Sequence, residues 1–205
     1  MTIASDFRPS RGDRVALWLF VAVGAVIAVA VAVGAALRIG ELLGGGPIRV
    51  AAEFIDQRAT APIGPDGSDV GVLLDRAVLR TAVPPIATWA GVIGQLVLVI
   101  AFATVILCLI LLSRRLSRGR IFGRSSTVLV GTAGITGLIG AAATRFFDNM
   151  LANAAVAQVS DSGDVRNAVL SVEPFPFVVA AFAVAIVCTV FVIGERMQRE
   201  TEGLV

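Results

Sequence analysis

Leu112-Ser113-Arg114-Arg115-Leu116-Ser117-Arg118-Gly119-Arg120-Ile121-Phe122-Gly123-Arg124 holds five arginines and no acid, and long apolar runs flank it on both sides. A short cationic segment between two apolar blocks reads as a cytoplasmic connection, because such loops carry the excess of basic residues in membrane proteins. Working outward, residues 84–112 and 126–144 form the flanking blocks, and residues 15–37 and 175–193 form two more. None of the four contains a charged residue. The expected fold is therefore a membrane protein, mainly α: a four-transmembrane-helix bundle with two extracytoplasmic loops able to form a small β-structure.

Composition supports this. The chain has 205 residues, 57% of them hydrophobic, and a mean hydropathy of +0.88, well above a soluble domain. All 17 basic residues are arginine, and His, Lys and Tyr are absent. Without lysine there is no phosphate-loop lysine and no Schiff base; without histidine there is no imidazole base or ligand. Serine and aspartate alone assemble no ordinary hydrolase constellation. The chain is read as a non-enzyme with no catalytic, metal or cofactor-binding residues. A pI of about 9.0 invites a nucleic-acid reading, but the net charge is only +2 and the arginines gather at span ends. Topology explains them better, so no direct nucleic-acid contact is expected.

The polar segments then set orientation. Residues 1–14, the inner loop 113–125 and the tail 194–205 together carry ten arginines against five acids. The outer loops 38–83 and 145–174 carry seven arginines against ten acids. By the positive-inside rule both termini lie in the cytoplasm, and the protein is a multi-pass resident of the bacterial cytoplasmic (inner) membrane. Its first partner is the lipid bilayer, and self-association is compatible with such a chain.

Taken in order, residues 1–14 read as a polar, disordered N-terminus. The first span has 23 residues, about 34 Å of helix, too long for the apolar region of a signal peptide. Gly24, Ala28, Ala32 and Ala36 recur every fourth residue as a small-residue stripe for a neighbouring helix. In the first outer loop, Gly44-Gly45-Gly46-Pro47 breaks the helix. Ile48, Val50, Ala52 and Phe54 alternate with more polar neighbours as a strand does, Pro62 to Asp69 reads as a turn, and Val70, Val72 and Leu74 alternate again. A strand pair is expected there, with a surface helix over 72–79 as the alternative.

Pro84-Pro85 suits the start of the second span. Gln95 lies deeper in it, where a lone amide bonds across to a neighbouring helix. Gly131, Gly134, Gly137 and Gly140 recur every third residue of the third span. They wind around the helix and make it slender on several sides, the centre of the bundle. That helix is free to continue past Arg145 towards residue 157. Residues 165–172 can add a short strand, Pro174 and Pro176 open the fourth span, and the tail continues as helix. Cys108 and Cys188 sit inside apolar runs as small apolar side chains. The acids Asp56, Asp66, Asp69, Asp75, Asp161 and Asp164 fit no calcium-loop spacing.

The arginine segment has three readings: a topogenic signal resting on anionic lipid headgroups, a docking site for an acidic cytoplasmic partner, and contact with nucleic acid. Leu112–Arg124, followed by a glycine-rich span, resembles the corresponding segment of the bacterial four-span membrane proteins of the domain of unknown function 2975 family. The tail Glu195-Arg196-Met197-Gln198-Arg199-Glu200-Thr201-Glu202-Gly203-Leu204-Val205 resembles the closing motif of that family. After Phe122 this chain has arginine and serine where many members have an acid and asparagine. The family has no established activity, and its genes often neighbour a small helix-turn-helix regulator. The resemblance thus implies a membrane anchor or sensor partner of such a regulator, an acidic-faced cytoplasmic protein docking on Arg114, Arg115, Arg118, Arg120, Arg124 and the tail. The alternative is a small-molecule or lipid-handling membrane protein with a site between the helices near Gln95.

Overall fold

The computed structural model describes residues 11–116, 123–159 and 174–202. The chain is mainly helical, in the order α1 (Arg11–Leu43), β1 (Ile48–Ala61), β2 (Val70–Thr81), α2 (Pro85–Leu116), α3 (Arg124–Val159) and α4 (Pro174–Glu202). All four helices are long and apolar enough to cross a membrane. Their apolar side chains face outward: Trp18 is 76% exposed, Phe175 75% and Phe182 68%. No residue in the most apolar window of α4 is buried. In water such a helix would have nothing to stabilise it, because helices of globular proteins depend on burying an apolar face. Lipid is the solvent in which that surface costs nothing, and four helices of this kind suggest a multi-pass membrane protein.

The chain falls into two compact units: Met1–Gly34 with Leu98–Ala142 and Glu173–Val205, and Ala35–Val97 with Ala143–Val172. In the first unit, small residues let helices approach. A Cβ built on Gly134 would collide with Val184 of α4, and one on Gly140 with the Cβ of Ala101 of α2. Gly131 and Gly137 have more room, with Cys188 Sγ at 3.9 Å and Val105 Cγ2 at 3.7 Å from a Cβ there. The third-residue spacing therefore does turn α3 towards two neighbours, though only two of its four glycines are needed for contact. The hydroxyls of Thr104 and Thr189 donate to the carbonyls of Ile100 and Ala185, each at 2.8 Å. Their polar atoms are thereby satisfied inside apolar helices. Both cysteines are free thiols.

The small-residue stripe of α1 differs from the one expected. Gly24 and Ala28 lie on the less exposed face, but Ala32 and Ala36 are exposed, and Val31 and Ala35 take their places. A helix turns about 100° per residue, so a strict fourth-residue repeat drifts about 40° at each step and leaves the contact face. Residues 11–14, read from sequence as part of the polar N-terminus, belong to α1. Residues 1–10, the strand expected over 165–172, Asp161 and Asp164, and the last three tail residues lie outside the described residues.

In the second unit, α1 stops at Leu43 and Gly45 takes a positive φ of 70°, a left-handed conformation that glycine adopts without steric cost. The chain then enters an antiparallel pair of β1 and β2, with Ile48 opposite Thr81 and Ala61 opposite Val70. Residues 72–79, for which a surface helix is the other sequence reading, lie in β2. Ile48, Val50 and Ala52 alternate and are all buried. Ile48 and Val50 join a core of Leu42, Ala87, Val92, Leu151 and Ala155. The Pro84 carbonyl accepts from the amides of Ala87 at 3.0 Å and Thr88 at 3.1 Å, so α2 starts where proline fits best. Gly91 and Gly94 admit Leu42, Leu151 and Phe147 to the backbone of α2.

Candidate functional site

Polar side chains from three elements and a strand converge on one cleft of the second unit, about 300 Å³ in volume. From α3 come Arg145, Asp148 and Asn149, with Ala152 and Val156 one and two turns on. These positions, i, i+3, i+4, i+7 and i+11, share one face of a helix. From the hairpin come Glu53 and Arg76, which face each other in the strand register. Immediately after Glu53 the register slips: Phe54 to Asp56 stand against Asp75 alone, and pairing resumes at Gln57 with Leu74. Such a bulge bends the strand and re-aims the side chains beside it. From the last turns of α1 comes Arg38.

Each guanidinium of the cleft has a defined partner. Arg145 Nη2 donates to both carboxylate oxygens of Glu53, at 3.1 Å and 3.3 Å. Arg76 Nη2 donates to Glu53 Oε1 from the other side. Arg38 is clamped apart from them, its Nη1 on Glu41 Oε2 at 2.6 Å and its Nη2 on the Arg49 carbonyl at 2.6 Å. The Glu41 Oε1 accepts the Arg49 amide at 3.3 Å, so the end of α1 and the start of β1 are tied together. The side chain of Glu53 is 23% exposed, and those of Arg145 and Arg76 are 44% and 66%. Ion pairs this open to water contribute only about 0–1 kcal/mol each. They are too weak to be the main support of the hairpin, which rests on the apolar core.

Asn149 adds a polar atom without a partner: its Nδ2 is closed off from solvent and makes no hydrogen bond. An unmet buried donor costs about 1–3 kcal/mol. Thr144 Oγ1, one turn earlier in α3, is in the same condition. The cleft thus carries three guanidinium groups against the two carboxylates of Glu53 and Asp148. Its walls are completed by apolar Val50, Leu151 and Val156. Among the described residues no three His, Cys, Asp or Glu side chains gather as a metal site.

The residues singled out from sequence lie elsewhere. Arg114 and Arg115 occupy the last turn of α2, where cations complement the helix C-terminus. Arg124 is the first residue of α3. The Gly123 carbonyl opens that helix by accepting from Ser126 N at 2.8 Å and Thr127 N at 3.2 Å. Arg114 and Arg124 are exposed and Arg115 is half-buried; Arg118 and Arg120 lie outside the described residues. Gln95 is half-buried on α2 and lines neither the polar cleft nor a second, apolar cleft of about 450 Å³ in the first unit. That second cleft runs between α2, α3 and α4, walled by Val105, Gly134, Gly137, Phe177 and Val184.

Sequence reading counts Arg38, Glu53, Arg76, Arg145 and Asp148 only in the charge balance of the outer loops and passes over Asn149. One signal was available: Arg145, Asp148 and Asn149 at i, i+3 and i+4 place three polar groups together on a helix that is uncharged for the preceding twenty residues. The pairing of Glu53 with Arg76 needs the strand register, which no local pattern states. Compared with known proteins, the chain matches no family model, no curated protein and no solved structure.

Proposed function

We propose that this chain is a non-enzymatic sensor or anchor of the bacterial cytoplasmic membrane, with the hairpin-bearing unit on the outer side as the receiving part. The observation that carries the reading is the polar cleft itself. In a chain dominated by apolar helix, Arg38, Glu53, Arg76, Arg145, Asp148 and Asn149 come together, and the Glu53–Arg145 pair alone bridges 92 residues of sequence. Polar groups held together against such a background mark a binding site more readily than a scaffold. The charge balance of the sequence assigns the cleft to the outer side and the arginine segment to the inner side.

On the inner side, Arg114, Arg115, Arg118, Arg120 and Arg124 dock an acidic-faced cytoplasmic regulator, as the resemblance to the four-span family implies. Guanidinium groups suit this because each binds a carboxylate through two parallel donors. The lipid-handling alternative draws support from the apolar cleft walled by Gly134, Gly137 and Phe177, not from Gln95. Reporter fusions at Gly67 and Gly123 test the sensor reading, with outside activity expected at Gly67 and inside activity at Gly123. An outward reading at Gly123 sinks it.

A further inference from the structure

We infer that the polar cleft takes up the oxyanion group, carboxylate or phosphate, of a small molecule, with Arg145 and Arg76 as its ligands and Glu53 as a resident carboxylate that the incoming anion displaces. The inference rests on the receptor role proposed for this cleft and names the chemistry it receives. Two guanidinium groups, from α3 and β2, point at one carboxylate, and each reaches it through Nη2 alone. A guanidinium carries five N–H donors in a planar fork, so both keep donors that Glu53 does not engage. Asn149 lines the same cleft, and its amide nitrogen, closed off from solvent behind the surface, has no acceptor. The site is rich in donors, and once Glu53 swings away its two guanidinium groups face the single carboxylate of Asp148, a balance that an oxyanion completes.

Glu53 also has the character of a replaceable occupant. Its ion pairs are open to water and therefore weak. It is the last paired residue before the slip in the strand register, where the ladder that would hold the chain beside it is interrupted. Arg38 is held at both of its terminal nitrogens, by Glu41 and the Arg49 carbonyl, so it is less open to a ligand than Arg145 and Arg76, each engaged at one. Asp148 opposes the anion and limits its charge.

The full chain in detergent is titrated with sodium phosphate and with sodium succinate, against sodium chloride at matched ionic strength, and thermal stability is followed. A saturable rise beyond chloride is expected for the wild type, since a ligand bound only to the folded state stabilises it. Glu53→Gln should reach half-saturation at an about two- to fivefold lower anion concentration, the factor an exposed ion pair represents. Arg145→Gln should abolish the response and Arg76→Gln weaken it, while Arg58→Gln, on the outer half of β1, keeps it. The same variants in nanodiscs of phosphatidylglycerol and of phosphatidylcholine separate the sources. A response to phosphate or succinate assigns a free anion, and one seen only with phosphatidylglycerol assigns a lipid headgroup. Equal responses to all salts in both wild type and Glu53→Gln, with no dependence on phosphatidylglycerol, overturn the inference. So does a response that survives both Arg145→Gln and Arg76→Gln. The titration is indifferent to which side of the membrane the cleft faces, so its failure is distinct from a failed fusion result.

Discussion

Replacing Gly140 with alanine adds one methyl group to α3, yet the structure gives that methyl nowhere to go. It would lie well inside van der Waals distance of the Cβ of Ala101 on α2. Alanine has no rotamer to change, so relief requires the two helix backbones to separate. Overpacking of this kind costs typically about 1–3 kcal/mol. Gly137 supplies the internal control, three residues away on the same helix. A Cβ there meets Val105 Cγ2 at 3.7 Å, ordinary van der Waals contact. Gly137→Ala should therefore show the intrinsic gain of alanine over glycine inside a helix, about 0.5–1 kcal/mol. Two chemically identical changes should thus differ by roughly 2 kcal/mol or more in opposite directions. The assay is reversible unfolding of the purified protein in mixed micelles, with helicity as the signal. Equal shifts for the two variants, or a stabilised Gly140→Ala, would falsify the packing of α3 against α2.

Leu151 is 4% exposed and sits in the core of the hairpin unit, so Leu151→Ala should cost about 2–5 kcal/mol and raise amide exchange through β1 and β2. Gly45 holds a φ of +70°, so Gly45→Ala should cost about 1 kcal/mol while Gly46→Ala, with no such constraint, costs less; thermal melts of the pair decide this. Replacing Arg115, Arg118 and Arg120 with glutamine, while Arg114 and Arg124 preserve orientation, should remove a cytoplasmic partner whose capture weakens as salt rises. If the triple variant keeps its topology and recovers the same proteins at low salt, that segment is a topogenic signal only.

The apolar helices and most of the breaks between them are legible in the residues alone. Charge-free blocks of about 20 residues cannot be satisfied by a soluble core of this size, so apolar helices were legible from composition and block length alone. Gly44-Gly45-Gly46-Pro47 and Pro84-Pro85 marked where helices stop and start, because glycine and proline act on the backbone locally. The alternation of Ile48, Val50 and Ala52 was legible for the same reason: one buried face imposes a period of two. Local signals also ran past the truth in places. The fourth-residue stripe of α1 leaves the contact face after Ala28, and Gly137 needs less space than its spacing implies.

Only the tertiary structure decided the site. Arg145 meets Glu53 across 92 residues of sequence, and Arg76 meets it because the hairpin register places them opposite. Neither pairing has a period, a cap or a turn residue to announce it. In sequence, these charges are indistinguishable from those that water simply solvates. Proximity between distant segments follows from how Leu42, Val50, Leu151 and Ala155 pack together, and apolar packing specifies volume and face without naming the polar groups it carries to the rim.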